Sequence, residues 1–341
     1  MTPRLEQVDT RVADEATLRA MHDLYLLHDR EYFPNDPIMP WAQRLLDWRY
    51  LRDDHDIPRW VVWEEGQVVA TGGCFLHRTQ DLENSFGFFY VHPDHRLRGL
   101  GRQVATRVLD YAEADGRKRL AVGIPVGFTS DSLAKRAGMK GAYRERISQL
   151  RVADVDLGQL DRWIERGSER ASDYEVISLG SPIPDEYRER YVAVTEVMNT
   201  APMEDFEEEP FHWTLEMLAD AEAMEQLKER TILTFVAVHR PTGVFAGYTN
   251  VVYQSLHPSV AHQWDTGVDP AHRNLGLGRW LKAAMMKELI TNYPAIEIIE
   301  TENAESNAPM LNINIEMGFQ SALEQILWQG EIASIRKALS I

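Results

Sequence analysis

Two copies of a glycine-rich segment carry the residues of this chain that could do chemistry. Val91–Arg102 and Val268–Arg279 lie 177 residues apart and are identical at eight of twelve positions. Each contains Arg-x-x-Gly-x-Gly, follows an apolar and aromatic run, and precedes a helical pattern. Glycines permit positive φ angles, so successive N–H groups and a helix N-terminus can surround a phosphate. The repeat therefore predicts two pyrophosphate-binding loops, to which arginines can add charge-assisted hydrogen bonds.

Other phosphate-binding motifs do not fit these loops. A dinucleotide fingerprint requires a third glycine where Val104 and Leu281 stand, and a Walker A loop requires Gly-Lys-Ser/Thr, which neither copy has. One Arg-x-x-Gly-x-Gly would be weak evidence, because plain strand-to-helix turns produce it. Two copies in matching contexts are strong evidence.

With these loops, and with Asn303–Met310 leading to Met317-Gly318-Phe319, the chain resembles the GNAT superfamily of N-acetyltransferases in its tandem form. The resemblance covers residues 10–152 and 173–330, and the second copy matches more closely. It implies an α+β fold of two GNAT-like domains, each a mixed, mostly antiparallel sheet flanked by helices. It also implies acetyl-CoA as the co-substrate.

The resemblance implies which residues contact acetyl-CoA. In the second copy they are Val268, Arg273, Asn274, Leu275, Gly276, Leu277, Gly278, Arg279 and Asn307. In the first copy they are Val91, Arg96, Leu97, Arg98, Gly99, Leu100, Gly101 and Arg102. Asn307 has an alternative role as the N-cap of the following helix, which suits asparagine.

The resemblance also implies a catalytic opening between two splayed strands, Val260–Val268 and Ile296–Thr301. Asp265 is the candidate general base, and the alternative is a carboxylate that only bonds a strand-end amide or a nearby loop. Asn314 stands where many members have a tyrosine acid, and an amide does not readily donate a proton. Three possibilities stay open: Asn314 hydrogen-bonds the sulfur, another group such as Tyr248 is the acid, or the thiolate leaves unprotonated.

The first copy lacks these groups. Phe88 stands at the place of Asp265, Gly127 at the place of Asn307, and Ala134 at the place of the acid. We therefore predict that the first half is degenerate and either binds acyl-CoA without turnover or acts as a structural partner.

The elements that must position these residues follow the same order twice. In the first half, the patterns predict helices at 15–29, 39–50, 101–114 and 130–137, and strands at 60–63, 68–76, 85–91, 119–123 and 143–152. In the second half, they predict helices at 185–198, 213–230, 278–291, 308–316 and 331–341, and strands at 232–238, 245–253, 260–268, 296–301 and 319–328. We predict an N-terminal domain at 1–152, a connecting segment at 153–172 and a C-terminal domain at 173–341.

The charge distribution and the cysteine count limit the classes of partner and the cellular location that we expect. Residues 1–160 hold 24 acidic and 22 basic side chains, whereas the remainder holds 29 and 14. The negative second half disfavours nucleic acid and fits either simple solubility or a cationic amine acceptor. No apolar run of about 18 residues or secretory signal is found, and Cys74 is the only cysteine, which predicts a buried thiol and a cytoplasmic protein. The histidine spacing does not predict a metal site.

The sequence thus predicts an acetyl-CoA-dependent N-acyltransferase that acts mainly through residues 173–341. We expect direct attack by the primary amine of an unidentified small molecule or peptide in a ternary complex. The protein is expected to be a monomer or homodimer that does not bind nucleic acid or membranes. Two alternatives stay open: a mycothiol-synthase-like transferase and a non-catalytic acyl-CoA sensor.

Overall fold

The computed structural model describes residues 3–127 and 130–340, which form two compact units. The first unit comprises Met1–Glu145, Met203–Glu209 and Leu323–Ile341, and the second comprises Arg146–Pro202 and Pro210–Ala322. Two segments that come late in the sequence therefore belong to the first unit. The division at residues 152 and 173, which follows the duplication, stays a prediction.

The first unit contains a six-stranded sheet path with helices on both faces. Five strands of this path are β1 (Arg4–Val8), β3 (Arg59–Glu64), β4 (Gln67–His77), β5 (Asn84–Val91) and β6 (Arg119–Pro125). The two-residue strand β2 (His55–Asp56) lies off the path and pairs with β4. Its helices are α1 (Glu15–Tyr32), α2 (Trp41–Arg49), α3 (Leu100–Ala114) and α4 (Ser130–Arg136). β7 (Lys140–Arg151) then leads into the second unit.

The second unit repeats this plan. Its helices are α5 (Leu157–Arg170), α6 (Asp185–Thr195), α7 (Leu215–Leu227), α8 (Leu277–Asn292) and α9 (Ala308–Met317). Its strands are β8 (Tyr174–Ser178), β9 (Arg230–His239), β10 (Val244–Gln254), β11 (Val260–Val268) and β12 (Ile298–Ala304). The chain ends in β13 (Gln320–Glu331) and α10 (Ile332–Leu339), most of which belongs to the first unit.

Each sheet is mixed and mostly antiparallel. The first unit has the order β1-β3-β4-β5-β6-β13, in which only β5 and β6 are parallel. The second unit has the order β12-β11-β10-β9-β8, in which only β11 and β12 are parallel. The predicted fold class is confirmed.

Two apolar layers hold each sheet. In the first unit, α3 and α10 pack on one face, and α1 and α2 pack on the other. In the second unit, α8 and α5 cover one face, and α6 and α7 cover the other. Because the glycine-rich loops open directly into α3 and α8, each loop is fixed by a helix that is itself anchored in a core.

The predicted elements are present, with shifts of a few residues at their ends. The sequence analysis missed β1, β2 and β8, which are strands of two to five residues. Short strands give too little alternation to be recognised. The predicted helix at 213–230 is shorter, because Thr214 caps α7 and the chain re-enters a strand at Arg230. The connecting segment contains α5, which packs against α8.

Candidate active site

Both glycine-rich loops adopt the same backbone conformation. In the first loop, Leu97 and Gly99 have φ angles of 61° and 81°, and in the second, Asn274 and Gly276 have 65° and 85°. Two left-handed residues separated by one position turn successive N–H groups toward one concavity. A Cβ atom at position 276 would meet nothing within 4 Å, so there is room for a side chain. Glycine suits this position because of its positive φ angle.

The helices that follow contribute more donors. α3 begins after Gly99 and α8 after Gly276, and neither cap residue can supply a side-chain acceptor. The first-turn N–H groups of a helix have no acceptor within the helix and carry its partial positive charge. The loops therefore fit a pyrophosphate, and most of the donors they offer are backbone amides.

The first arginine of each loop, which the two copies share, holds the loop to its strand. Arg273 donates from Nε to the Val268 carbonyl oxygen at 2.9 Å and from Nη2 to Thr200 Oγ1 at 2.6 Å. Arg96 likewise donates from Nε to the Val91 carbonyl oxygen at 3.0 Å, and its Nη atoms pair with Glu31. A phosphate would compete with these partners.

The other loop arginines are also engaged. Arg98 pairs with Glu64, and Arg102 donates to the Ser340 carbonyl oxygen at 2.8 Å. Arg279 makes two hydrogen bonds to Glu316, at 2.8 and 3.0 Å. Direct phosphate contacts by these side chains stay predictions.

Beside each loop, two parallel strands separate. β11 pairs with β12 only from Val260 to Gln263, and β11 continues to Val268 without this partner. In the first unit, β5 pairs with β6 only up to Gly87 and continues to Val91. Each unit thus has an opening between splayed strands that leads from the sheet to the loop.

Only the second unit has a β-bulge at this opening. Thr249 pairs with Thr266 and Val251 with Gln263, so Trp264 and Asp265 together face the single residue Asn250. Asn250 Oδ1 accepts the Asp265 N–H at 2.8 Å, which satisfies the displaced amide. A bulge redirects side chains locally.

Asp265 and Tyr248 form a hydrogen-bonded pair at the bulge. The fully buried Tyr248 hydroxyl donates to Asp265 Oδ2 at 2.7 Å. Burial raises the pKa of Asp265, although the Tyr248 hydrogen bond acts in the opposite direction. Burial and the neighbouring Asp265 carboxylate raise the pKa of Tyr248 well above its ordinary value. The pair therefore combines a proton acceptor of raised basicity with a donor that orients it.

A buried amide and hydroxyl network supports this pair. Gln263 Nε2 donates to the Asn250 carbonyl oxygen at 2.8 Å and to Thr249 Oγ1 at 2.9 Å. The Tyr191 hydroxyl on α6 accepts from Asn250 Nδ2 at 3.4 Å. The sequence analysis missed Asn250, Gln263 and Tyr191. The sequence pattern that could have indicated this network is the polar Asn250 within a largely apolar predicted strand.

The two asparagines near α9 have structural partners. Asn307 caps α9, because its Oδ1 accepts the Met310 N–H at 3.4 Å. Asn314 donates from Nδ2 to Asn303 Oδ1 at 2.6 Å, and its own Oδ1 is buried without a partner. Asn314 is 1% exposed, and it has one N–H beyond the bond to Asn303 in addition to the unpaired Oδ1. Neither contact tests a role toward acetyl-CoA.

The corresponding place in the first unit has no carboxylate. Phe88 pairs with Gly73 in an uninterrupted antiparallel ladder, so the bulge is absent there. Ala134 is buried in α4, and Gly127 has a φ angle of 90° in the turn after β6. This unit keeps the loop and the opening, but lacks an acid or base at these positions.

Within residues 3–127 and 130–340, no helix is both long and apolar enough to cross a membrane. In the same part of the chain, no three His, Cys, Asp or Glu side chains are grouped as a metal site would require. The histidines of the loops instead bond protein groups, as in the 2.6 Å contact between His272 Nδ1 and the Tyr174 hydroxyl.

Solved structures share this architecture. A tandem GNAT protein from the clavulanic acid biosynthesis pathway matches 97% of this chain and 99% of its own, with 21% identity and a TM-score of 0.77. A GCN5-related N-acetyltransferase from Sphaerobacter thermophilus matches 96% of both chains, with 14% identity and a TM-score of 0.69. A fungal GCN5-related glucosamine N-acetyltransferase region matches 96% of this chain and 38% of its own, with 10% identity and a TM-score of 0.65. At such low sequence identity, these structural matches show that the fold is shared.

The family follows from the sequence match. The acetyltransferase (GNAT) family model matches residues 21–139 and again 196–319. Together with the fold, this defines a tandem acetyltransferase architecture, and the chain belongs to the GNAT family. The family and fold support acyl-CoA-dependent acyltransferase activity, and they do not favour the sensor or the mycothiol-synthase-like alternative. A comparison with curated proteins gives no match.

Proposed function

We propose that the second unit transfers an acetyl group from acetyl-CoA to the primary amine of a small molecule or peptide. One observation carries the proposal. Asp265 lies on the bulge of β11, beside the opening to β12 and on the strand that leads to the Gly276 loop, and it accepts a hydrogen bond from Tyr248 on β10. The first unit has the loop and the opening without the bulge or the acid.

The Gly276 loop and the start of α8 would hold the pyrophosphate of acetyl-CoA. The backbone amides of Gly276, Leu277 and Gly278 are the donors, and Val268 N–H lies at the end of the splayed strand. Bound acetyl-CoA supplies a thioester whose carbonyl carbon accepts the amine nitrogen. Asn307 and Arg273 are proposed to act mainly by fixing α9 and the loop.

Asp265 is the proposed general base. An alkylammonium ion must lose a proton before its nitrogen can attack a carbonyl carbon. Because burial raises the pKa of Asp265, its carboxylate is a stronger base than an exposed aspartate. Tyr248 holds the carboxylate through Oδ2, which leaves Oδ1 to take the proton from the amine directly or through water.

The leaving thiolate needs little help from an acid. Asn314 has no acidic proton, because a neutral amide N–H is not acidic, and one of its two N–H groups bonds Asn303. The Tyr248 hydroxyl hydrogen is directed at Asp265. A simple thiol has a pKa of about 8.5, so the sulfur can depart as a thiolate and take up a proton from solvent afterwards. We therefore propose that no side chain serves as a dedicated general acid.

Direct transfer in a ternary complex is supported by the position of the only cysteine. Cys74 is fully buried in the core of the first unit, and burial raises the pKa of its thiol to about 12. Such a thiol is a poor nucleophile for an acyl-enzyme intermediate. Proximity and orientation of the two substrates would then provide much of the rate.

The test is release of coenzyme A thiol from acetyl-CoA by the full-length protein with a panel of primary amines. The panel contains alkyl diamines, peptides and an amino sugar, the last because one structural neighbour is named a glucosamine N-acetyltransferase region. We expect Asp265→Asn to reduce kcat by roughly 10²- to 10⁴-fold without loss of acetyl-CoA binding. Glu175→Gln, an exposed carboxylate change on β8, is the matched control. Wild-type turnover that Asp265→Asn leaves intact would refute the assignment of the base.

A further inference from the structure

Arg59 is a buried arginine without a carboxylate partner. It opens β3 in the first unit and is 7% exposed. Its Nη1 donates to the Tyr25 hydroxyl, and its buried Nε has no hydrogen-bond partner. Within residues 3–127 and 130–340, no acidic side chain forms an ion pair with it. An arginine is almost never buried in this way unless it is paired.

Aromatic rings surround the guanidinium. Its carbon lies 4.6 Å from the centre of the Phe88 ring, 5.7 Å from that of Tyr25 and 5.9 Å from that of Trp48. The ring faces attract the cation, but they carry no net charge and do not replace the counterion that a buried guanidinium ordinarily has. The site remains short of a negative charge.

A second arginine contacts the Tyr25 ring and does have a carboxylate partner. Asp29 accepts from Arg44 Nη2 at 2.5 Å and also contacts His28 Nδ1 at 3.1 Å. The Arg44 guanidinium carbon lies 5.0 Å from the centre of the Tyr25 ring, which Arg59 also contacts. Two cations therefore share one aromatic ring, and only Arg44 has a carboxylate.

The unused edge of Arg59 has a defined shape. Nη1 is engaged by Tyr25, which leaves Nε and Nη2 on the same side of the planar group. That edge makes two parallel hydrogen bonds to a carboxylate. Arg59 also stacks on Phe88, the residue that takes the place of Asp265 in this copy. The catalytic copy has an acid near this opening, and the other copy has a cation.

We propose that Arg59 anchors a carboxylate-binding site on the face of the first unit covered by α1 and α2. The carboxylate has two possible sources: a free dicarboxylic acid, or the terminal carboxylate of an acyl group carried by CoA. The second source rests on the proposed acyl-CoA loop at Arg96–Gly101, whereas the first is independent of the proposed function.

Isothermal titration of the full-length protein separates these sources. The ligands are succinate, the neutral analogue succinamide, succinyl-CoA and acetyl-CoA, and the variants are Arg59→Lys and Arg59→Gln. Arg52→Lys is the matched control, because Arg52 is a similarly buried arginine of this unit that pairs with Asp54. Far-UV circular dichroism checks the fold of each variant.

Binding of succinate but not succinamide, weakened at least tenfold by Arg59→Lys and unchanged by Arg52→Lys, supports a site for a free acid. A preference for succinyl-CoA over acetyl-CoA that disappears in Arg59→Lys supports a tethered carboxylate. If the variants do not fold, the Tm of the wild-type protein is measured with each ligand. A higher Tm with succinate than with succinamide then supports the site. Two results overturn the proposal, whatever the activity of the second unit: no carboxylate-dependent binding at all, or carboxylate-dependent binding that Arg59→Lys and Arg59→Gln leave unchanged.

Discussion

Removal of one hydroxyl group, in Tyr248→Phe, tests how the second unit sets the basicity of Asp265. The Tyr248 hydroxyl donates to Asp265 Oδ2 at 2.7 Å inside the core, and this bond lowers the pKa of the carboxyl against the effect of burial. Loss of the donor therefore raises the pKa of Asp265. Because the base acts only when it is ionised, the acid side of the activity profile must move to higher pH.

The size of the effect follows from the strength of the bond. A hydrogen bond to a charged group contributes about 1.5–3 kcal/mol, and 1.36 kcal/mol corresponds to one pH unit, so we expect the acid side of the kcat/KM profile to move upward by about 1–2 pH units. Above that range, the carboxylate of the variant is ionised again. The rate there should then approach that of the wild type.

The assay is thiol release from acetyl-CoA between pH 5 and about 9.5, with the amine of the panel that reacts fastest. Tyr253→Phe is the matched control, because Tyr253 lies on the same strand and packs against Tyr293. The control should leave the profile in place. An unmoved acid side in Tyr248→Phe, with normal acetyl-CoA affinity, would show that this hydrogen bond does not tune the base.

Three further predictions concern the loop, a cap and a buried charge. Gly278→Glu should abolish acetyl-CoA binding to the second unit in calorimetry by placing bulk and negative charge at the start of α8, whereas Gly243→Glu, in the β9–β10 turn, should not. Asn307→Ala should lower the free energy of unfolding by about 0.5–2 kcal/mol, seen as a lower urea midpoint with an unchanged slope, because α9 loses its cap. Lys282→Met should stabilise the protein, since burial lowers the pKa of Lys282 to about 7. Its charge is penalised only in the folded state, so the gain should be full below pH 7 and should vanish as the pH rises toward 10.5, the ordinary value for lysine.

Specific results would contradict these predictions. Equal acetyl-CoA affinity in Gly278→Glu and the wild type would remove the second loop from the binding site. An unchanged urea midpoint in Asn307→Ala would mean that the 3.4 Å contact with Met310 N–H does not stabilise α9. A stability gain in Lys282→Met that is independent of pH would assign the effect to packing, and Lys287→Met, an exposed change on the same helix, should give no such gain.

Much of the fold could be read from local pattern. The apolar spacing of α1, α3 and α8 placed these helices to within a few residues, because each buries one face. β4 and β10 were recognised as largely apolar runs, and both are central strands that are buried almost throughout. β1 and β8 were not predicted, because a strand of five residues shows too little alternation of apolar and polar residues to be recognised. The assignment of Met203–Glu209 and Leu323–Ile341 to the first unit depends on contacts across the chain that composition does not record.

For the candidate site, the sequence alone indicated the two loops, because the left-handed residue directly before a helix favours glycine, and the repeat shows this glycine twice, at Gly99 and Gly276. It also determined that Asp265 has no acidic counterpart at Phe88. Only the tertiary structure decided that Asp265 lies on a bulge, that Tyr248 donates to it, and that the loop arginines bond the protein. It alone placed the Arg59 guanidinium against the Phe88 ring, with no acidic partner among residues 3–127 and 130–340. The physical reason is that strand register and long-range pairing set which polar groups meet, and one residue of slip changes every partner.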